Sequence, residues 1–346
     1  MDYKQAAREW SQGTVRSLYV LHGAETYIMS EWLELLTSKW VSPETKDFAL
    51  SRYDLHETPL EAVIEDAETP PFLAERKVVI AAGAQFLTGG RDTSRAEHRV
   101  EALSAYAERP AEHAVVVLTV SAEKLDERKK VVKQLKQQAA VLSFQALGPS
   151  ELHQWLTKKA GAWNVRLEEQ AAELLLRRVG GSCGTLASEI EKLALYVGRG
   201  NTVDERAVEA LTVRTTEQNV FQLVEEIARL QPDRALTILH DLLKEKEEPI
   251  KLLMLIARQF RMMLGAKELS RQGFSNTQMA SQLGAHPYAV KLAAEQAKRY
   301  KPETLERIMA DLAELDVGMK TGAVDKVFGL ELFILRLGAK AAGTAG

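Results

Sequence analysis

Between Ser17 and Leu147, short apolar runs alternate with stretches whose apolar residues recur every three or four positions. "SLYVLHG" (17–23) has the length and composition of a strand, and "SEWLELLTSKWV" (30–41) reads as a helix with Trp32, Leu35, Leu36 and Trp40 on one side. "ALSRYDL" (49–55) alternates as a second strand, and "PLEAVIEDAE" (59–68) is helical with Leu60, Val63, Ile64 and Ala67 inward. "RKVVIAAGA" (76–84) and "AVVVLTVS" (114–121) are apolar without interruption, as strands covered on both faces are. "VLSFQAL" (141–147) closes the series. Strands alternating with helices predict a parallel, three-layer α/β domain over residues 1–147.

After "LGPSEL" the period changes to that of helices and no further strand is expected. "SELHQWLTKKAGAW", "LEEQAAELLLRRVG" and "TLASEIEKLALYVG" are followed by a capping box, Thr202-Val203-Asp204-Glu205, opening "ERAVEALTV". "GGSCG" (180–184) reads as a turn between helices, and residues 148–213 as a small helical domain. Helical spacing resumes in "NVFQLVEEIARL", at Val220, Phe221, Val224, Ile227 and Ala228, and continues through "LELFILRLG". That predicts a helical bundle over 214–338, with 339–346 ("AKAAGTAG") as a disordered tail.

The bulk numbers narrow the function classes. The chain has 346 residues, enough for two or three domains, and its formal charge of −3 argues against a wholesale coat of nucleic acid or membrane. One cysteine, Cys183, excludes an internal disulfide and a Cys-based zinc cluster. With a polar N-terminus and no apolar run of membrane-spanning length, a cytosolic protein without membrane partners is expected.

The strand–turn–helix at "LYVLHGAETYIMSEWLELL" has the layout of a phosphate-binding P-loop, G-x-x-x-x-G-K-[ST]. Only Gly23 and Ser30 fit that pattern: Ile28 stands where the second glycine belongs and Met29 where the lysine belongs. The strand "KVVIAAGAQ" ends in Ala81, Ala82 and Gly83, with no carboxylate to hold a metal. ATP hydrolysis is therefore not expected, nor is a cofactor or resident metal. No nucleophile elbow and no histidine pair at metal-ligand spacing points to another enzyme class.

Other features leave alternatives open. In "ETPPFLAER" (68–76) two prolines end a helix, and adjacent Phe72 and Leu73 either plug a partner's pocket or fold back beneath the sheet edge. "SNTQMASQLGAHPYAVKLA" has the spacing of a helix-turn-helix, although Pro287 and Tyr288 occupy the start of its second helix, where base-reading side chains sit. Two basic clusters are solvated helix faces or phosphate contacts: one holds Lys124, Arg128, Lys129, Lys130, Lys133 and Lys136, the other Lys251, Arg258, Arg261, Lys291, Lys298 and Arg299.

Seven stretches, in order, carry a resemblance over nearly the whole chain: "YVLHGAETYIMSE", "TPPFLAERKVVI", "AEKLDERKKVVKQLK", "EIEKLALYVG", "TEQNVFQLVEEI", "PIKLLMLIARQFRMM" and "LGAHPYAVKLAAEQAKRY". The sequence resembles the delta subunits of the bacterial DNA polymerase III clamp loader, ATPase-inactive members of the AAA+ clamp-loader family. The resemblance implies an AAA+-like α/β domain that grips the ring-shaped beta sliding clamp and favours its opening, then a helical lid and a collar bundle. Its implied partners are the clamp, the tau/gamma and delta prime subunits of a hetero-pentamer and, through that assembly, primed DNA. Phe72 and Leu73 match the family's clamp plug, and Lys124, Arg128, Lys129, Lys298 and Arg299 become candidates for DNA phosphates. The absence of a Ser-Arg-Cys motif fits a subunit that completes no neighbour's ATP site. The glycine-rich turn at 180–184 departs from the family in lacking an aspartate. The rival reading is a helix-turn-helix regulator with a degenerate nucleotide domain.

Overall fold

The computed structural model describes residues 3–11 and 13–342 and divides into two compact units, Met1–Ala146 and Leu147–Gly346. In the first unit α1 (Tyr3–Ser11) precedes β1 (Leu18–His22), α2 (Thr26–Trp40), α3 (Lys46–Ala49), β2 (Leu50–Asp54) and α4 (Leu60–Glu68). β3 (Lys77–Ala82), α5 (Val100–Glu108), β4 (Ala114–Val120), α6 (Lys130–Gln138) and β5 (Ala140–Ser143) complete it. The five strands form one parallel sheet in the order β2-β3-β4-β1-β5. The register sets Leu18 beside Val116, Tyr19 beside Ala140, Lys77 beside Ala114 and Leu50 beside Val78.

Successive side chains on a strand face opposite ways, which explains the three layers. Leu18 and Val20 of β1 join a core with Leu60, Val63 and Ile64 of α4, Leu103 and Tyr106 of α5, and Val131, Val132 and Leu135 of α6. Tyr19 points to the other face, where its ring meets Trp32 of α2 at 5.3 Å and its hydroxyl accepts from the Trp10 indole of α1 at 3.1 Å. Trp32 also packs on Trp10 and on Phe144. β4 is buried along its whole length, as its unbroken apolar run predicts.

In the second unit α7 (Pro149–Ala162), α8 (Glu169–Val179), α9 (Cys183–Val197) and α10 (Glu205–Leu211) surround a small parallel ladder of β6 (Arg166–Leu167) and β7 (Thr202–Val203). The expectation of no strand after residue 148 is thereby corrected: two residues are too short to carry a pattern. Thr202 lies in β7, so the cap of α10 is Asp204, whose carboxylate accepts from the Ala207 N–H at 2.9 Å. The glycine-rich turn is required by packing, since Gly180 ends α8 at φ +89° and a Cβ on Gly181 would sit 2.4 Å from His286 Nδ1. The turn is shorter than expected, since α9 already begins at Cys183, which is buried.

The remaining helices are α11 (Thr216–Ala228), α12 (Pro232–Lys244), α13 (Pro249–Arg271), α14 (Asn276–Leu283), α15 (Pro287–Ala297), α16 (Pro302–Thr321) and α17 (Lys326–Ala342). All but α14 share a core centred on Phe260, Leu252, Ile256, Leu239 and Leu305, while Met279 and Ala280 of α14 pack with Ala266 and Val290 in a smaller cluster. The helices of 148–213 and those from 214 onward belong to one compact unit. The expected tail at 339–346 begins inside α17, and residues 343–346 of it lie outside the described residues.

Candidate functional site

Where a doubly wound sheet takes a phosphate, at the carboxyl end of a strand next to a helix N-terminus, the first unit is closed. After β1 the chain turns at Gly23 (φ +145°), and a Cβ there would lie 1.9 Å from the Phe144 carbonyl oxygen. That carbonyl accepts from the Glu25 N–H at 2.9 Å, and the Phe144 N–H donates to His22 O at 2.7 Å. The chain leaving β5 thus occupies backbone groups that a phosphate cradle would need. Ile28 and Met29 are 7% and 5% exposed, committed to the core with Trp32, Leu33 and Leu36. Glu25 is itself buried at the helix entrance, where its acidic side chain disfavours a second anion. Ser30 Oγ donates to Thr26 O within its own helix at 3.0 Å. The loop thus lacks the lysine and second glycine that the β- and γ-phosphates require, and its Glu25 N–H is already taken. Among the described residues no cluster of three or more His, Cys, Asp or Glu side chains could hold a metal ion.

The segment between α4 and β3 has the opposite character. Phe72 is 68% exposed and Leu73 74%, and Leu73 holds φ +57°, a left-handed conformation that a leucine adopts only at a cost of about 1–2 kcal/mol. Of the two placements left open by the sequence, folding back beneath the sheet edge is excluded. The segment is braced at its root. Lys77, 4% exposed at the start of β3, donates to the Asp66 carbonyl at 2.6 Å, the Asp66 carboxylate at 2.7 Å and the Thr69 carbonyl at 3.3 Å. These carbonyls belong to the end of α4, where a cation satisfies otherwise orphaned acceptors. Burial pushes the Asp66 carboxyl up, but hydrogen bonds and charge from Lys77, with help from Ser51 and Tyr53, outweigh it and hold the group below its ordinary value. Arg76 lies over the Trp40 ring at 5.3 Å, tying the other end of the segment to α2.

Beside the pair stands Phe48, on α3, 55% exposed, its ring edge-on to Phe72 at 6.2 Å. Sequence reading missed it because 42–48 carries no clear period. It missed Lys77 too, although a lysine opening an otherwise apolar run was a legible signal. Leu35, expected inward, is exposed, while Ile28, Met29 and Leu33 supply the buried side of α2.

The basic clusters are partly spent on the fold. Arg128 makes a two-pronged pair with Asp126, Lys129 donates to the Phe86 carbonyl at 2.8 Å, and Arg299 pairs with Glu225 at 3.4 Å. Lys124 and Lys298 are exposed. In the helix-turn-helix candidate, Pro287, Tyr288 and Val290 are buried and the His286 ring caps the Tyr288 N–H, so the start of α15 presents no base-reading face.

The parallel sheet in the order β2-β3-β4-β1-β5, with its P-loop-shaped turn filled by the chain itself and helices following, defines an α/β protein that keeps the layout of a phosphate loop without its residues. Residues 19–145 match the family of DNA polymerase III delta subunits, and residues 217–337 match the C-terminal domain of the same family. The DNA polymerase III subunit delta of Bacillus subtilis is 41% identical over 326 residues, 94% of each chain. A probable delta subunit of Aquifex aeolicus is 21% identical, over 90% of this chain and 88% of its own. The solved structure of the Bacillus subtilis DNA clamp loader delta protein superimposes with a TM-score of 0.74 at 40% identity, covering 97% of this chain and 99% of that one. The chain belongs to the DNA polymerase III delta-subunit family.

Proposed function

We propose that this chain is the clamp-loader subunit that grips the beta sliding clamp through Phe72 and Leu73 and favours its open form, without hydrolysing ATP. One observation carries the reading: two adjacent large apolar side chains stand in water on a segment braced by Lys77, with Leu73 held in a strained backbone state. Strain persists where the surrounding structure over-determines it, and such positions cluster at binding sites. Burying a Phe and a Leu contributes roughly 1.5–3 kcal/mol each, enough to anchor an interface. Grip alone does not open a ring. The chain must bind the opened clamp more tightly than the closed one, and only that difference shifts the population. The leverage then comes from a second contact that the opened interface satisfies.

The filled loop supports a subunit that relies on others for ATP chemistry, with tau/gamma and delta prime as assembly partners through its helical unit. The division into a lid at 148–213 and a collar at 214–338 is part of the same reading. Of the five candidates for DNA phosphates, Lys124 and Lys298 are exposed and come ahead of Arg128, Lys129 and Arg299, which are engaged internally.

Calorimetric titration of the sliding clamp with the whole chain and its Phe72→Ala/Leu73→Ala variant tests the grip. The pair is more than two-thirds exposed, so its burial predicts a loss of about 2–4 kcal/mol, roughly 30- to 700-fold, with an unchanged melting temperature. Equal affinity of both proteins sinks the docking reading. A clamp with a weakened ring interface should bind tighter than the intact ring; equal binding would leave grip without opening.

A further inference from the structure

We propose that Phe48 is a third anchor of the docking face, one that seats on an apolar shelf of the sliding clamp beside the pocket taking Phe72 and Leu73. Its role rests on the docking reading of that pair. α3 is a single turn in which Ala49 is fully buried while Phe48 faces water. Burying Ala49 fixes the turn and leaves more than half of Phe48 in water. The ring is instead in edge-on contact with Phe72, at an interplanar angle of 74°. Such pairs contribute beyond their area and restrict each other's rotamers. Three exposed apolar side chains from two separate segments thereby form one continuous surface. Exposed charges from Lys46, Asp47 and Glu75 lie next to them in sequence, supplying the polar rim expected around an apolar interface centre. Holding Phe72 in place before binding also lowers the ordering cost of association. The continuity of Phe48 with the pair argues for the same occupant.

The test measures clamp affinity for the full chain and for Phe48→Ala, Phe48→Leu, Phe72→Ala and Phe48→Ala/Phe72→Ala. A third anchor predicts that Phe48→Ala weakens binding about three- to tenfold, keeps the melting temperature, and still weakens binding when Phe72 is already alanine. Phe48→Leu, which retains apolar bulk, should keep most of the affinity. Wild-type affinity in Phe48→Ala, or an effect that vanishes in the Phe72→Ala background, overturns direct contact while leaving the docking pair standing. A wild-type chain that fails to bind the clamp overturns the docking reading and Phe48 with it, a result distinct from the other two.

Discussion

Replacing Lys77 with methionine probes the brace beneath the docking segment. The change keeps the length of the side chain and removes its charge and three donor contacts, to Asp66 O, Asp66 Oδ1 and Thr69 O. Breaking a fully buried ion pair from one side costs about 3–5 kcal/mol, because the remaining charge is stranded. Here the stranded Asp66 side chain keeps 24% of its surface in water, which softens that penalty. The two carbonyls each lose a bond worth about 1 kcal/mol, partly regained from solvent as the segment frays. The expected loss is about 2–3 kcal/mol, a fall of roughly 1–1.5 M in the urea midpoint. Asp66→Asn/Lys77→Met should recover about 1 kcal/mol, since no unpaired charge remains. Acid titration gives the complementary sign. Asp66 titrates lower in the folded than in the unfolded chain, so its contribution is present above the ordinary value of 3.8 and is lost as pH falls through the folded value. In Lys77→Met this acid slope should weaken, because burial then works against the carboxylate with only Ser51 and Tyr53 opposing it. Amide exchange over residues 69–76 should quicken, and clamp affinity should fall although Phe72 and Leu73 are intact. A urea midpoint and acid slope equal to wild type would refute the brace.

Three further outcomes follow from the geometry. Gly23→Ala should destabilise the α/β unit by several kcal/mol, since its Cβ would meet Phe144 O at 1.9 Å and φ is +145°; a melting temperature near wild type would contradict the packing of the loop. Ile28→Gly/Met29→Lys, which restores the letters of a P-loop, should lower stability by roughly 3–5 kcal/mol without creating ATP binding, as judged by denaturation and nucleotide titration. Burial pushes the Tyr106 phenol up to about 12 from an ordinary 10.0, so stability should fall by about 2 kcal/mol as pH rises from 10 to 12, while the folded chain's Tyr106 tyrosinate absorbance should appear only towards pH 12. A phenol titrating at its ordinary value would contradict that burial.

Much of the fold was legible because the sheet is covered on both faces. Uninterrupted apolar runs such as those of β3 and β4 have few other places to go, and their boundaries fell within a residue or two. The two-residue strands β6 and β7 were not legible, because a ladder of that size is specified by its surroundings and not by its own residues. The apolar pair drew attention as sequence, but its exposure was undecidable there. Whether Phe72 and Leu73 turn inward depends on the left-handed backbone at Leu73 and on Lys77 gripping the end of α4, neither of which has a local signature. Phe48 shows the same limit: its neighbour in space, Phe72, is distant in the chain.

The closure of the loop at Gly23 also bears on timing. On the proposed reading, a chain that holds neither ATP nor ADP has no means of its own to tell one stage of a hydrolysis cycle from the next. That reading puts any clock on the Phe72–Leu73 face in other chains, which would cover or release the face from outside. For the isolated protein, clamp-binding curves recorded with and without nucleotide should superimpose.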